Sequence, residues 1–233
     1  MSSSPTDQQL ANISLLRAFA FLRTQQYDAA LRDLEFLTSL ESGPSDKALY
    51  YKSQVLYNIQ RFGESYLTEK LLCDTFPEHF AAKGKLRRVI ARFLEQQRAR
   101  YQFKQMRHEA SQRRPPLLDR ATYSRYVIVK DTGDHRGRGL FTTAPIKAGD
   151  LLLCEKAFEY AFYDANDKTK PISVTIDTAT GKIVKGTQVE LIKNIVQKVF
   201  SNPSLIPCLT NLYHSSYTPV NVTKVDARPV VDR

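Results

Sequence analysis

H-R-G-R-G-L-F-T-T, from His135 to Thr143, runs on through A-P-I-K-A-G-D-L-L-L-C-E-K-A-F to Phe158. Gly137 and Gly139 flank Arg138 and an apolar pair follows, which predicts a sharp turn at both glycines and then a strand, because glycine adopts such backbone freely. Lys147 to Asp150 carries turn residues between two strand-like runs, Leu140 to Thr142 and Leu151 to Cys154, which predicts a hairpin. Upstream, Tyr126 to Lys130 is a β-branched run suited to a first strand, and D-T-G-D leads from it into the glycine loop.

A bare Gly-x-Gly also serves as a tight turn in other β-rich domains, so the longer pattern carries the weight. G-R-G-L-F-T-T, then I-K-A-G-D-L-L, then Glu155, resembles the opening of a SET domain. The resemblance implies S-adenosylmethionine as cofactor, a lysine amine as methyl acceptor, and Arg136, Gly137, Arg138, Gly139 and Leu140 as the cofactor-binding loop. The physical rationale is that absent side chains let main-chain carbonyls approach a sulfonium and its polarised methyl hydrogens.

The first half repeats itself at a shift of 35 residues: Ala18 meets Ser53, Phe21 meets Leu56, Tyr27 meets Phe62, Ala30 meets Ser65 and Leu37 meets Leu72. Small residues align with small and large with large, as in the tetratricopeptide repeat, which this pattern resembles. Pro77 stands where that repeat ends, whereas the family's tryptophan and glycine have no counterpart. Helical periodicity places Ile13, Leu16 and Ala20 on one inward face and Tyr27, Ala30, Leu31, Leu34 and Leu37 on the next, with Gly43 and Pro44 between the units. The resemblance implies a protein or peptide partner for these repeats.

Two such units leave their end faces open. Ala81 to Gln112, free of proline, is predicted to form one capping helix of about 45 Å, docking through Leu86, Ile90, Phe93 and Leu94 with its Arg and Lys side chains outward. Between Lys83 and Arg136 stand 15 Lys/Arg and 5 Asp/Glu, and the remainder balances at 19 of each, so the net charge of +10 lies in this one segment. That excess admits nucleic acid or another acidic partner. The plainer and preferred reading is a solvated helical face, since Gln and Ala are interspersed and no regular aromatic pattern accompanies the cations.

Arg113-Arg114-Pro115-Pro116 ends the helix and opens a linker. Past Phe158, Ile172 to Ile176 and Lys182 to Val184 flank D-T-A-T-G and predict a second hairpin. Thr187 and Glu190 then form a capping pair for a helix whose face of Val189, Ile192, Ile195, Val196, Val199 and Phe200 runs up to Asn202-Pro203. Relatives of the SET-and-MYND kind hold a zinc finger in such an insertion, but the chain has no C-x-x-C pair for zinc.

The fold class is therefore α+β. A tetratricopeptide-like helical domain over 1–112 and a linker over 113–125 precede the N-terminal part of a SET domain over 126–233, with strands in 126–158 and an insertion in 159–233. This order resembles fungal proteins that place a tetratricopeptide region before a SET domain. Such proteins carry an Asn-His-Ser type stretch and a lysine-side tyrosine further on; Asn211 to Ser215 has those letters at another spacing. The expectation is a truncated, inactive chain with weak or absent cofactor binding and no catalytic residue of its own. The alternative is a non-catalytic interaction module with a degenerate SET remnant.

Composition fits that picture: 233 residues, 42% hydrophobic and 25% charged, as in ordinary globular proteins. Neither a leader nor an apolar run of about 20 residues is visible, so an intracellular chain away from the membrane is expected. Cys73, Cys154 and Cys208 are odd in number and far apart, and read as buried, reduced thiols.

Overall fold

The computed structural model describes residues 7–40, 43–163, 173–176 and 181–212. Six helices come first: α1 Asp7–Arg23, α2 Tyr27–Ser39, α3 Asp46–Asn58, α4 Phe62–Thr75, α5 Phe80–Arg98 and α6 Phe103–Ser111. Strands β1 Val127–Asp131 and β2 Arg138–Thr142 follow, then β3 Ser173–Ile176, β4 Ile183–Gly186, α7 Gln188–Ser201, a short 3-10 turn, and α8 Ile206–Thr210. The chain is α+β and mainly helical, with two antiparallel two-stranded sheets among the described residues. The residues 177–180 of the second predicted hairpin turn, and 213–215 of the stretch ending at Ser215, lie outside the described residues.

The 35-residue shift is visible in the packing of α1 to α4. Ala18 and Ala30 are buried where α1 meets α2, and Ser53 and Ser65 where α3 meets α4, the Ser65 hydroxyl donating to the Ser53 carbonyl at 3.0 Å. Each helix pair turns through a glutamine in the left-handed region, Gln25 (φ 59°) and Gln60 (φ 62°). The residue after each donates back into the preceding helix, Gln26 N–H to the Phe21 carbonyl and Arg61 N–H to that of Leu56. Helix α5 extends the array, burying Ala82 and Val89. On α1 the expected inward face is wrong: Ile13, Leu16 and Ala20 are exposed while Ser14 and Ala18 face the core. That helix is apolar on more than one side, and the salt bridge from Arg17 to buried Asp33 (2.6 Å) sets its rotation.

Five further expectations are corrected. The single capping helix is two, because Ala99 takes a left-handed conformation (φ 52°) and α6 starts only at Phe103. Tertiary contact overrides propensity there: the Tyr101 hydroxyl donates to the Ala121 carbonyl at 2.6 Å, which draws the chain out of the helical path. Arg92 does not point outward; it is buried beside Glu95 at 2.7 Å. Leu151 to Cys154 adds no strand to β2, since Cys154 bridges instead to Tyr123. Thr187 makes no side-chain cap, its backbone (φ −92°, ψ 4°) not being the extended one from which a hydroxyl reaches the free amides of the first turn. None of the three free cysteines is fully buried: Cys73 and Cys154 are half-buried and Cys208 is exposed.

Helix α7 ties the second half to the first. Lys198 donates to the Phe158 carbonyl and pairs with Glu159 at 3.3 Å. Buried Asn202 accepts from the Tyr27 and Asp28 amides (2.6 and 3.3 Å) and donates to the carbonyls of Gln25 and Lys198 (2.9 and 3.1 Å). Gln26 gives no side-chain cap to α2, so Asn202 supplies one from 175 residues away. Ser204 completes the junction with two bonds to the Asp28 carboxylate.

Asn202→Ala leaves two orphan amides and a bare carbonyl in a buried place, an expected loss of about 2 kcal/mol; a urea midpoint equal to that of the parent chain would contradict the assignment. Glu69 is fully buried with neither oxygen hydrogen-bonded, and burial raises its carboxyl above the ordinary value against weaker opposition from Ser53, Lys85 and His79. A raised value means that its contribution is present at pH below that of the unfolded carboxyl and is lost as pH rises through the folded one. Glu69→Gln therefore stabilises the chain at pH 8 and flattens its stability above pH 5, as denaturant titrations at the two pH values will read.

Candidate functional site

The glycine loop is a self-contained turn. Gly133 N–H donates to Asp131 (2.6 Å) and Arg136 N–H to Asp134 (2.9 Å), while Gly137 (φ 77°) occupies the conformation that favours glycine. The Arg136 guanidinium lies on Asp134 at 2.6 Å and holds that carboxyl down to about 2. The Gly137 carbonyl accepts from both the amide and the hydroxyl of Thr132, at 2.7 and 2.6 Å.

Gly139 is not in the turn. It sits inside β2 opposite Lys130, with Arg138 opposite Asp131 and Leu140 opposite Val129. A Cβ built on it would stand 3.1 Å from Thr132 Cγ2 and 3.2 Å from the Phe141 ring, so close packing on its own hairpin, not backbone dihedral, requires glycine there. Thr132 pairs with Gly137 and Tyr126 with Thr143 through main-chain bonds. Antiparallel alternation then directs the main-chain groups of Gly139 toward β1 and those of Arg138 and Leu140 to the opposite edge. That edge carries no further strand among the described residues.

These five residues differ in what they can offer a ligand. Arg136 and Gly137 are engaged within the turn, whereas Arg138 and Leu140 present free main-chain donors and acceptors, with Leu140 half exposed. An open strand edge next to a residue without a side chain fits the main-chain binding of a cationic sulfonium.

A second polar centre lies where the helices meet residues 117–123, and sequence reading passed it over as linker. The Glu95 carboxylate, buried, accepts from the Ala121 amide at 2.9 Å and stands near Arg92 and Arg120. Burial raises its pKa, and these three partners oppose the rise. Asp119 is also pushed up by burial, but Arg88, Tyr57 and Arg92 together bring it below its ordinary value. A cleft of about 230 Å³ opens here beside Tyr57, Arg88, Asp119 and Lys156. Another, of about 670 Å³, is lined by Gln60, Gln96, Gln97, Thr122, Ser124 and Arg125. Neither includes Arg136 to Leu140. The signal available in the sequence was Leu117-Leu118 followed by paired charges and Tyr123, an unusual composition for a bare connection.

Comparison with known proteins adds a relative. The chain is 35% identical over 226 residues to a Gibberella zeae protein named methyltransferase, a match covering 97% of this chain and 30% of that protein. The chain thus spans less than a third of the length of that curated relative. No family model matches the chain, and no solved structure matches it.

The contacts of Gly139 make a rescue test. Gly139→Ala is expected to loosen the β1–β2 hairpin, and Thr132→Ser, which removes the opposing methyl while keeping the hydroxyl bond to Gly137, to restore most of the loss. Amide exchange of Lys130 and Ile128 reads both effects. Equal protection in all three variants would mean that the close approach is immaterial.

Proposed function

We propose that the chain belongs to a SET-type protein-lysine methyltransferase that uses S-adenosylmethionine, with tetratricopeptide-like hairpins over 1–112 selecting a protein or peptide substrate. Residues 113–125 join that region to the SET part at 126–233. The observation that carries the reading is the likeness, over nearly the whole chain, to a protein named methyltransferase. The G-R-G-L-F-T-T hairpin supports the finer statement, as does the 35-residue repeat in α1 to α4.

In this reading the cofactor supplies, when bound, a methyl group on an electron-poor sulfur. The chain's part is to hold it through main chain at Arg138 and Leu140, while Gly139 keeps the strand face clear and Thr132 fixes the turn. Arg136 and Gly137 are then supports for the loop, and none of the described side chains is assigned to the transfer step. A non-catalytic interaction module is the second reading. It is favoured by the Gly137 carbonyl, whose two bonds to Thr132 leave it little capacity for a ligand.

Calorimetric titration with S-adenosylmethionine separates the two. The methyltransferase reading expects saturable binding, on the order of 1 mM for this chain. It also expects at least a fivefold loss for Arg138→Pro, which removes an outward amide while sparing the bonds to β1. No saturable heat, or unchanged affinity in a variant that circular dichroism shows folded, takes the loop out of a cofactor site.

A further inference from the structure

The segment from Phe80 to Arg114, which includes α5 and α6, contains 11 Lys/Arg and only two acidic residues, Glu95 and Glu109. Both acids are already occupied. Glu95 is buried against Arg92, and Glu109 pairs with Arg120 at 2.8 Å. Asp119, arriving from the following segment, takes Arg88 at 2.7 Å. These three carboxylates thus neutralise cations on the inner side of the helices or at the junction.

What remains is a ridge of exposed cations. Lys83, Arg87 and Arg98 follow the helical period along the solvent side of α5. Arg100, Lys104 and Arg107 continue it across the break at Ala99 and along α6. None of these six makes a salt bridge among the described residues. From Lys83 to Arg98 alone the ridge extends about 22 Å, at 1.5 Å per residue.

Two phenyl rings stand on it, almost bare. Phe80, 76% exposed, lies at the start of α5 under the Lys83 ammonium. Phe103, 55% exposed, begins α6 between Arg100 and Lys104, with the Tyr101 ring 5.7 Å away. Water is a poor place for either ring, and neither contributes to the buried core. The linear sequence hid this arrangement, because an unbroken helix would place Phe103 by its heptad position, whereas the left-handed residue at 99 restarts the helix at Phe103 itself.

We infer that the α5–α6 ridge binds single-stranded nucleic acid, its arginines and lysines taking phosphates and its two exposed rings taking bases. Unpaired cations fit any polyanion; the rings choose among polyanions, because every base has a face that stacks on an aromatic side chain. An acidic peptide would satisfy the cations and leave the rings in water. Arginine predominates over lysine on the ridge, and its planar fork suits phosphate oxygens. The inference is independent of the methyltransferase reading and stands on residues outside the glycine loop.

The test is fluorescence anisotropy on the whole 233-residue chain with labelled twelve-nucleotide oligouridylate and oligothymidylate, across 50 to 300 mM KCl. Binding of either strand is expected, with log affinity falling linearly in log salt. Arg98→Gln with Arg107→Gln is expected to lower the slope by about 1.4, since each phosphate contact on a single strand contributes about 0.7. Phe103→Ala is expected to weaken binding roughly tenfold with the slope unchanged, and Arg23→Gln, away from the ridge, to change neither. The inference is overturned if Phe103→Ala binds like the parent, if the paired arginine substitution leaves the slope intact, or if polyglutamate or phosphatidylserine vesicles bind more tightly than the oligonucleotides at equal salt.

Discussion

The Glu95 carboxylate, lifted out of water at the end of a helix, is the interaction on which the two halves of the chain depend. A buried charge costs several kcal/mol unless its lone pairs and counter-charges are supplied, and here the suppliers come from both sides: Arg92 from the same helix, Arg120 and the Ala121 amide from the segment that follows. Once Ala121 is held there, its carbonyl is in reach of the Tyr101 hydroxyl, and the helix cannot continue through Ala99. The break, the start of α6 and the course of 117–123 are therefore consequences of one satisfied charge. The strands begin four residues after Tyr123, whose bridge to Cys154 carries the same anchoring into the β part.

Legibility in the sequence follows the range of the forces involved. The paired helices could be read from small residues recurring at 35, because that spacing reports local crossings and short turns. Strand β1 was visible as a β-branched run before D-T-G-D, and β2 as the apolar pair that follows the glycine loop. What escaped was set by partners distant in sequence: the break at Ala99, the inward Arg92, and the bridge that takes Cys154 to Tyr123 instead of to β2. On α1, apolar residues on several sides left the period undecided, and an ion pair to Asp33 determined which face turned in.

The glycine loop shows the same division. Its residues and their turn were legible, and Gly137 has the backbone that only glycine adopts freely. The reason for Gly139 was not, since it rests on Thr132 across the hairpin. Of the five residues assigned together from the sequence, the structure separates those that build the turn from those whose main chain faces outward, a distinction that spacing alone does not contain.

The two repeat turns also differ in who closes them. The Gln60 carbonyl receives the amide of Gln96, 36 residues on, while the equivalent carbonyl of Gln25 receives that of Asn202. During synthesis, at roughly 5 to 20 residues per second, the second turn is complete within seconds of its own translation, whereas the first waits about 10 to 35 s for its partner. The oldest part of the nascent chain is thus finished last, and until Asn202 leaves the ribosome the start of α2 stays uncapped.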